Sequence, residues 1–533
     1  MIRISQIKLP AEHTEVQLEQ KIKKAVHHAP LKSYQIFKRS LDARKKDQIS
    51  YVYTIDAELE RESEFLKRNK NPGITKAERK EYRLPRCRKE IPVRPVVIGM
   101  GPAGLFAALV LAKAGLKPIL LERGKPVEER MKDVEAFWKN GNLNPESNVQ
   151  FGEGGAGTFS DGKLNTAVKD KYGRNRFVLE TFVEYGAPEE ILYDGKPHIG
   201  TDLLCKVVAN MRNAIQGAGG TIRFENKVTD LVIKEGRLTA LVINETETLP
   251  CDTAVLAVGH SARDTFKMLY ENKLSMMPKS FAVGVRVEHP RQKIDKSQYG
   301  KGAEDKKLPT ASYKLTYRAS NGRSVYSFCM CPGGFVVNAS SEKGRLTVNG
   351  MSNHDRMARN SNSAIIASVT PKDFGSEHPL AGIEFQRKWE EKAYRAGNGA
   401  IPVQTFSDFK EDKKSEKFGR VLPNTKGKTA FANIRECLPE EISEAIIEGM
   451  DAFEKKIKGF SDGDTVLSGI EARTSSPLRM ERDETFQGSI PGIYPCGEGA
   501  GYAGGITSAA MDGIKTAEQL IKNIDKKTTY CDV

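Results

Sequence analysis

In the first sixty residues, the spacing of hydrophobic positions alternates between that of a strand and that of a helix. Residues 2–9 (IRISQIKL) place apolar and polar side chains on alternate faces, as a half-buried strand does. A segment with helical spacing follows, and Thr14 is its expected N-cap. Residues 33–44 and 49–59 are then typical of paired strands around a polar turn. The pattern predicts a small α+β module of the βαβ type, followed by a charged linker at about residues 61–92.

The clearest pattern lies at residues 94–124, RPVVIGMGPAGLFAALVLAKAGLKPILLERG. An apolar run, Val96 to Ile98, leads directly into three glycines. A helix-periodic segment comes next, and a second apolar run ends at Glu122. The order predicts a strand, a tight glycine turn, a helix and a strand with an acid at its tip, which is the dinucleotide-binding unit of doubly wound folds.

Each glycine of this unit has a physical role. Gly99 allows the turn, Gly101 lets the backbone approach a pyrophosphate, and Gly104 lets the helix pack closely on the sheet. The helix N-terminus offers free N–H groups to phosphates. Glu122 is placed to accept hydrogen bonds from ribose hydroxyls, which argues against a 2′-phosphate. The motif therefore predicts a bound dinucleotide and leaves both NAD and FAD open.

After Glu122 the pattern departs from that of a six-stranded dehydrogenase. A helical segment precedes the glycine-rich stretch VQFGEGGAGTFSDGKLNT at 149–166, and helix-rich sequence extends to Gly220. Short strands follow, and residues 280–420 form a mixed, strand-rich block. No second complete glycine fingerprint after a strand lies between 170 and 490. A nicotinamide cofactor would therefore have to dock without a Rossmann domain of its own.

A second strand–glycine–helix junction closes the chain. The apolar strand IYPC ends at Gly497 and Glu498, and Gly505 and Ile506 then open a helix with the sequence SAAMDGIKTAEQL. This junction lies about 400 residues after the first one.

Composition narrows the class of protein. The chain of 533 residues is 39% hydrophobic and 29% charged, as in a globular enzyme. It has no apolar run long enough for a membrane span and no signal-peptide core near its N-terminus, so we expect a cytoplasmic location. The net charge is +14, of which the first 90 residues supply +9. A solvated basic surface explains this balance, with nucleic acid or an acidic partner as alternatives.

The two glycine junctions together resemble flavoproteins of the glutathione-reductase and p-hydroxybenzoate-hydroxylase superfamily. More narrowly, the chain is similar over almost its whole length to a group of uncharacterised FAD-dependent dehydrogenases found mainly in bacteria. The matching strings are GEGGAGTFSDGKLNT (152–166), KPHIGTD (196–202), SFCMCPGG (327–334), VNGMS (348–352), EARTSSP (471–477) and PCGEGAGYAGGI (495–506).

The resemblance implies non-covalent FAD, with the first fingerprint holding its ADP half and the closing unit placing a helix N-terminus at the flavin. The backbone near Val228 would meet the adenine, and the turn at Gly259 would lie near the pyrophosphate. Glu498 stands where many relatives have Asp. The residues expected to contact FAD are Gly99, Gly101, Pro102, Ala103, Gly104, Glu122, Arg123, Gly155, Ala156, Gly157, Thr158, Lys163, Val228, Gly259, Gly497, Glu498, Gly505 and Ile506.

The sequence identifies no clear catalytic acid or base. Lys163 is a candidate for a group beside the flavin that offers a proton, although it is also typical of a surface lysine after a glycine turn. Arg473 is a candidate for binding an acidic substrate or a phosphate, and a salt bridge is an equal alternative. His198 is a candidate base or a capping histidine. Cys329 and Cys331 form a Cys-x-Cys pair that we expect to be spectator thiols, and no metal site is expected.

These patterns predict an α/β fold in which a Rossmann-like FAD domain carries an inserted, strand-rich cap domain. The expected domains are 1–90 (basic module and linker), 91–279 (FAD domain), 280–420 (substrate cap) and 421–533 (closing part of the FAD domain). The expected activity is hydride transfer between a small-molecule substrate and flavin N5. NAD(P)H is a candidate transient electron donor. The alternatives are a flavin monooxygenase, a flavoprotein that docks to RNA through its basic N-terminal module, and a docking module for an electron-donating protein.

Overall fold

A computed structural model describes residues 1–88, 91–305 and 307–526 of the chain. Its strands, in chain order, are β1 Ile2–Pro10, β2 Leu31–Asp42, β3 Ser50–Leu59, β4 Ile74–Lys76, β5 Val96–Ile98, β6 Ile119–Leu121, β7 Thr221–Arg223, β8 Val228–Lys234, β9 Arg237–Ile243, β10 Glu247–Pro250, β11 Ala254–Leu256, β12 Met276–Pro278, β13 Phe281–Pro290, β14 Thr316–Arg318, β15 Ser324–Cys331, β16 Phe335–Asn338, β17 Val348–Met351, β18 Asn360–Val369, β19 Ile401–Thr405, β20 Thr425–Lys426, β21 Thr429–Phe431, β22 Val466–Glu471, β23 Leu478–Met480 and β24 Ile493–Pro495.

The helices are α1 Glu15–Ala25, α2 Glu62–Arg68, α3 Pro102–Lys113, α4 Val127–Asn140, α5 Arg174–Glu184, α6 Thr201–Gly217, α7 Arg263–Glu271, α8 Arg291–Tyr299, α9 Pro371–Phe374, α10 Ala381–Ala396, α11 Phe406–Lys410, α12 Glu440–Glu454 and α13 Ile506–Lys526. In the described part of the chain, none of these helices combines the length and apolar character needed to cross a membrane.

The N-terminal module is a four-stranded sheet with strand order β2-β3-β1-β4. Both β1 and β2 run antiparallel to β3, so they are parallel to each other with one strand between them, a split form of the predicted βαβ unit. Thr14 caps α1 as expected, through a reciprocal hydrogen-bond pair with Gln17. The predicted linker begins later than expected, because β4 at residues 74–76 pairs with β1.

Strand β2 also fixes a loop of the next domain. The backbone N–H of Arg39 donates to the carbonyl of Tyr193 at 2.7 Å, and the N–H of Gly195 donates back to the carbonyl of Arg39 at 2.7 Å. The Arg39 guanidinium also pairs with Asp194 at 3.1 Å. We name residues 193–196 the edge loop, because they add to the edge of the N-terminal sheet.

The centre of the molecule is a five-stranded parallel sheet with strand order β24-β11-β5-β6-β7. Its strands are short and apolar on both faces, as parallel strands buried between two layers are. Helices α3, α6 and α13 cover one face, and β8 to β10 with α7 cover the other. Gly513 allows α13 to lie against α3, since a Cβ there would come within 2.1 Å of the Ala103 carbonyl oxygen.

The strand-rich block forms a seven-stranded sheet with order β14-β15-β18-β13-β22-β19-β21, and α12 packs on it through Ile446 and Met450. The expected boundary at residue 420 falls inside this unit, because β21 and β22 belong to the same sheet as β13. We therefore propose that the cap extends over residues 280–474, and that the closing part of the FAD domain begins after it.

Candidate functional site

A cavity of about 780 Å³ lies between the carboxyl ends of the parallel strands and the cap sheet. Its wall includes the turns after β5, β6, β11 and β24, together with residues of β15, β17 and the segment at 312–314. Parallel α/β sheets bind ligands at this edge. The volume falls within the roughly 300–1,000 Å³ that is typical of ligand sites.

The first glycine turn leaves no room for side chains. Gly99 has φ of +100°, and a Cβ there would lie 2.4 Å from the carbonyl oxygen of Ala257. A Cβ on Gly104 would lie 1.9 Å from the Gly99 carbonyl oxygen. Gly101 and Gly155 approach each other closely as well, because a Cβ on Gly155 would come within 2.9 Å of the Gly101 Cα. No side chain of the described residues caps the N-terminus of α3, so its first N–H groups are available to a ligand.

Glu122 organises this turn through its carboxylate. It accepts backbone N–H bonds from Met100 at 2.8 Å, Gly124 at 2.9 Å and Gly152 at 3.0 Å, and it also lines the cavity. The expected ribose contact would therefore use the remaining acceptor capacity of a carboxylate that already holds three loops together. Arg123 beside it is fixed by ion pairs with Glu146 and Asp264.

The glycine-rich segment at 152–157 is held from behind by Arg130, a residue that sequence reasoning missed. Arg130 is fully buried and donates to four backbone carbonyls in residues 148–153, at 2.6 to 3.3 Å. A Cβ on Gly152 would lie 2.4 Å from the Arg130 side chain. A signal was present in the sequence, because Arg130 occupies a position on the apolar face that Val127, Val134 and Phe137 form on α4.

The closing junction brings a second helix N-terminus to the same cavity. Gly504, Gly505 and Ile506 line the wall at the start of α13, and Thr507 Oγ1 donates to the Leu164 carbonyl at 2.8 Å. Glu498 faces the cavity from this side. Burial raises the pKa of its carboxyl to about 7, and Lys279 opposes part of that rise.

The residues present fit FAD by three observations. Gly99, Gly101 and Gly155 present backbone to the cavity, with no room for a side chain at Gly99 or Gly155, and the N-terminal residues of both α3 and α13 line the same cavity. Gly259 and Gly504 border open space, because a Cβ on either would have no atom of the described residues within 4 Å. Near Glu122 and Val228, the buried Oδ1 of Asn226 has no hydrogen-bond partner in the part of the chain that the structure describes.

Lys163 and Asp161 lie on the wall next to the glycine-rich segment. Lys163 Nζ is 3.7 Å from Asp161 Oδ2. The buried Asp161 carboxylate also accepts two hydrogen bonds from Arg356 and one from Ser352. Burial would raise the pKa of Asp161, but Lys163 and Arg356 outweigh it and the pKa is lowered. Asp161 is therefore ionised and fixed at neutral pH.

His198 does not line the cavity. Its Nε2 lies 3.0 Å from the His354 carbonyl oxygen, and its ring stacks on that of His354. Burial and the nearby Arg356 lower its pKa to about 4, so the ring is neutral at pH 7. This geometry favours the structural alternative over the candidate base.

Arg473 reaches the wall but is already fully engaged. Glu390 accepts two hydrogen bonds from it at 2.8 Å, and Ser341 accepts a third. The same buried carboxylate accepts two bonds from Arg263 at 2.6 and 2.7 Å. Glu390 thus lies between two arginines, an arrangement that supports the salt-bridge alternative for Arg473.

Cys329 and Cys331 both line the cavity, which no sequence pattern indicated. They lie where β15 leaves regular pairing with β18, and Cys329 has φ of +41°. Although Cys329 is exposed to the cavity, desolvation by the surrounding protein raises its pKa to about 11, so this thiol is protonated at neutral pH. The Cys331 thiol donates to the Cys329 carbonyl at 3.3 Å.

The cavity gathers most of the residues expected at FAD. Three of them lie behind its wall. Gly104 packs on the first turn, Gly497 has its Cα surface against Ala103, and Thr158 Oγ1 donates to the Glu153 carbonyl at 3.3 Å. Those on the wall are Gly99, Gly101, Pro102, Ala103, Glu122, Arg123, Gly155, Ala156, Gly157, Lys163, Val228, Gly259, Glu498, Gly505 and Ile506. Within the ranges that the structure describes, no group of three or more His, Cys, Asp or Glu residues is placed to hold a metal ion.

Comparison with known proteins adds a close relative. The chain is 47% identical over 531 residues to an "Uncharacterized protein" of Clostridium beijerinckii, covering 98% of this chain and 99% of that one. Residues 280–474 match the family model "FAD-dependent protein, C-terminal domain-like", and residues 1–58 match a domain of unknown function, DUF8436.

Solved structures are similar only at a distance. The flavin-dependent brominase Bmp2 is 12% identical with a TM-score of 0.38, covering 82% of this chain and 80% of that one. Glycine oxidase from Bacillus cereus is 11% identical with a TM-score of 0.31, covering 81% and 95%. Scores this low carry no argument about this chain.

Proposed function

The chain belongs to the family of FAD-dependent proteins that includes the Clostridium beijerinckii relative, and from that premise we propose that it is an oxidoreductase acting on a small molecule. The substrate would bind on the cap side of the cavity that holds the cofactor. We place the enzyme in the cytoplasm as part of this proposal.

FAD is the cofactor of this family, and when bound it supplies hydride transfer at its N5 atom. The residues around Gly101 and the α3 N-terminus would hold its pyrophosphate through backbone N–H groups. Glu122 and Asn226 would face its ADP half. The 155–157 backbone and the α13 N-terminus would face its ring.

The substrate would meet side chains from both the glycine-rich segment and the cap. Lys163 Nζ lies 3.7 Å from Asp161 Oδ2, and this ion pair holds the lysine side chain in place. Ser327, Phe328 and Met330 of β15 line the same cavity from the cap. We propose that Lys163 orients the substrate and offers it a proton.

One observation carries the proposal. Two helix N-termini, a glycine-rich turn and the cap strands line one continuous cavity, although residues 101 and 505 lie about 400 positions apart in the chain. A backbone surface for a dinucleotide and a side-chain surface for a substrate thus share one space.

The test is cofactor content. We expect purified protein to show flavin absorption, and we expect Gly101→Asp to retain less than about a tenth of the cofactor, because a carboxylate would meet the pyrophosphate. Gly217→Asp adds the same charge at an exposed glycine whose Cβ would have no described atom within 4 Å, and it should keep the full cofactor content. Colourless wild-type protein that FAD does not reconstitute would contradict the proposal.

The reaction type needs a separate measurement. We propose a dehydrogenase or reductase, with NAD(P)H as one candidate electron donor. Flavin bleaching would be followed without oxygen, first with NADH and NADPH and then with a metabolite panel. Bleaching by a metabolite alone, with an oxidised metabolite as product, supports the dehydrogenase, whereas bleaching by NAD(P)H supports a reductase only if no oxygen atom is added to any product in air. A product that contains an added oxygen atom, formed only in air, would identify a monooxygenase instead.

The contacts of the N-terminal aromatic side chains disfavour the RNA alternative. Tyr53 is buried and its hydroxyl lies 3.0 Å from His13 Nε2, while the Tyr51 hydroxyl donates to the Lys307 carbonyl at 3.3 Å. The guanidinium of Arg3 stacks on the ring of Phe37 at 3.4 Å. The two tyrosines are thus engaged inside the protein, and Phe37, although exposed, has one face covered by Arg3.

A further inference from the structure

One end of the cavity carries more positive than negative charge. Lys163 and Lys196 line it, and the guanidinium of Arg356 lies directly behind, bonded to Asp161. We name Lys163, Lys196 and Arg356 the cationic end. Asp161 is the carboxylate that pairs with this group, and Arg356 and Ser352 already occupy its oxygens.

Lys196 is the least compensated of the three cations. Its Nζ donates to Ser312 Oγ at 2.9 Å, and no carboxylate of the described residues lies within ion-pairing distance of it. Burial, then Arg356 and Lys163, lower the pKa of Lys196. Asp194, which is itself paired with Arg39, opposes only part of this lowering, so the repulsion between the two ammonium groups is not fully compensated.

The other carboxylates on the wall are engaged elsewhere. Glu471 is bound to the fully buried Arg286, and Glu122 accepts three backbone N–H bonds at the first glycine turn. Glu498 is on the side of the closing junction, where Lys279 is the cation that influences it. The excess charge at the cationic end is thus available to a ligand.

We propose that the substrate carries an oxyanion, a carboxylate or a phosphate, which binds between Lys163 and Lys196 with Ser312 as a further hydrogen-bond partner. This inference rests on the proposed function, since it assigns a substrate class to the same cavity. It moves anion binding from Arg473, which the sequence suggested, to two lysines. Two ammonium groups and one hydroxyl can saturate the oxygens of such a group.

The edge loop explains how Lys196 is positioned. Residues 193–195 pair with Arg39 of β2 immediately before Lys196, and Gly195 leaves no space for a side chain, because its Cβ would lie 2.8 Å from Ser40 Oγ. These contacts with the N-terminal module therefore fix the position of Lys196 on the cavity wall. Lys196 acts as a specificity-determining residue.

The experiment uses the FAD-loaded, full-length protein. Malonate, succinate and inorganic phosphate would be titrated at constant ionic strength, with malonamide and succinamide as neutral counterparts, and the shift of the flavin absorption would be recorded. We expect at least one of the three anions to bind and neither diamide to do so. Lys196→Gln should weaken that anion roughly tenfold or more, whereas Lys196→Arg should stay within a few-fold.

Controls separate this inference from the proposed function. Lys206→Gln removes an exposed lysine of α6 that is not on the wall, and its anion affinity should match that of the wild type. FAD content would be measured for every variant. Yellow protein in which no anion binds, or in which Lys196→Gln binds anions as the wild type does, overturns the substrate class alone. Protein that does not hold FAD overturns the proposed function first.

Discussion

The two sides of the cavity differ in whether backbone or side chains form their surface. On the cofactor side, backbone forms the surface, through Gly99, Gly101, Gly155 and the N-termini of α3 and α13. On the cap side, charged side chains from distant segments form it. A backbone surface requires glycine at fixed spacing, so it leaves a pattern in the sequence. A side-chain surface depends on which segments meet in the fold, so it leaves little recognisable pattern in the sequence.

We expect the largest loss of stability from a substitution at Glu390, whose buried carboxylate pairs with two arginines. Glu390→Gln leaves Arg263 and Arg473 buried without their shared carboxylate, and it should lower the free energy of unfolding by about 3–5 kcal/mol. The neighbouring Glu391 is partly exposed and pairs with Arg395, so Glu391→Gln should cost less than about 1 kcal/mol. Urea denaturation measures both, and equal losses would contradict the assignment.

Arg130 tests whether the backbone surface also depends on a side chain. Arg130→Met removes donors to four carbonyls behind the 152–157 turn, so we expect stability to fall by about 2–3 kcal/mol and FAD affinity to fall with it. Lys132→Met, at an exposed position of the same helix, should change neither. A stable Arg130→Met protein with normal FAD affinity would show that the glycines suffice alone.

The smallest effect concerns pH. Because the pKa of Glu498 is raised to about 7, its contribution to stability is present below its ordinary value of 4.5 and is lost as the pH rises through 7. The thermal midpoint of FAD-free protein should therefore fall over this range, and Glu498→Gln should flatten part of that fall. Glu484→Gln, at an exposed position, should follow the wild-type profile. Identical profiles for the wild type and Glu498→Gln would exclude the carboxyl of Glu498 as the cause.

The sequence was most informative where local pattern determines structure. The alternation in residues 2–9 and the cap at Thr14 predicted the N-terminal elements, and the turn at Gly99 predicted the parallel sheet. Local pattern does not show that the strand Val466–Glu471 pairs within the cap sheet, since that strand is locally no different from one of the parallel sheet. Sheet membership is decided by pairing between segments far apart in the chain, as between Val285 and Ile470, and periodicity does not encode it.

The sequence did not single out Glu390 for a related reason. Glu390 lies in the sequence EFQRKWEEKAYR, where two adjacent glutamates look equally exposed. The helix turns about 100° per residue, so one of them enters the core and the other faces water. Only the arginines that meet it, from α7 and from the segment after β22, make its burial possible.

The hydrogen bonds between Arg39 and the edge loop would couple ligand binding in the cavity to the binding of a partner on the N-terminal sheet. A partner that docked on the N-terminal sheet and displaced β2 would change the position of Lys196, and with it the affinity of the cavity for its ligand. Reciprocity then requires the bound ligand to change the affinity for that partner by the same factor. By the same contacts, removal of the N-terminal module would be expected to change ligand affinity in the cavity, even though the module contributes no residue to the glycine turns.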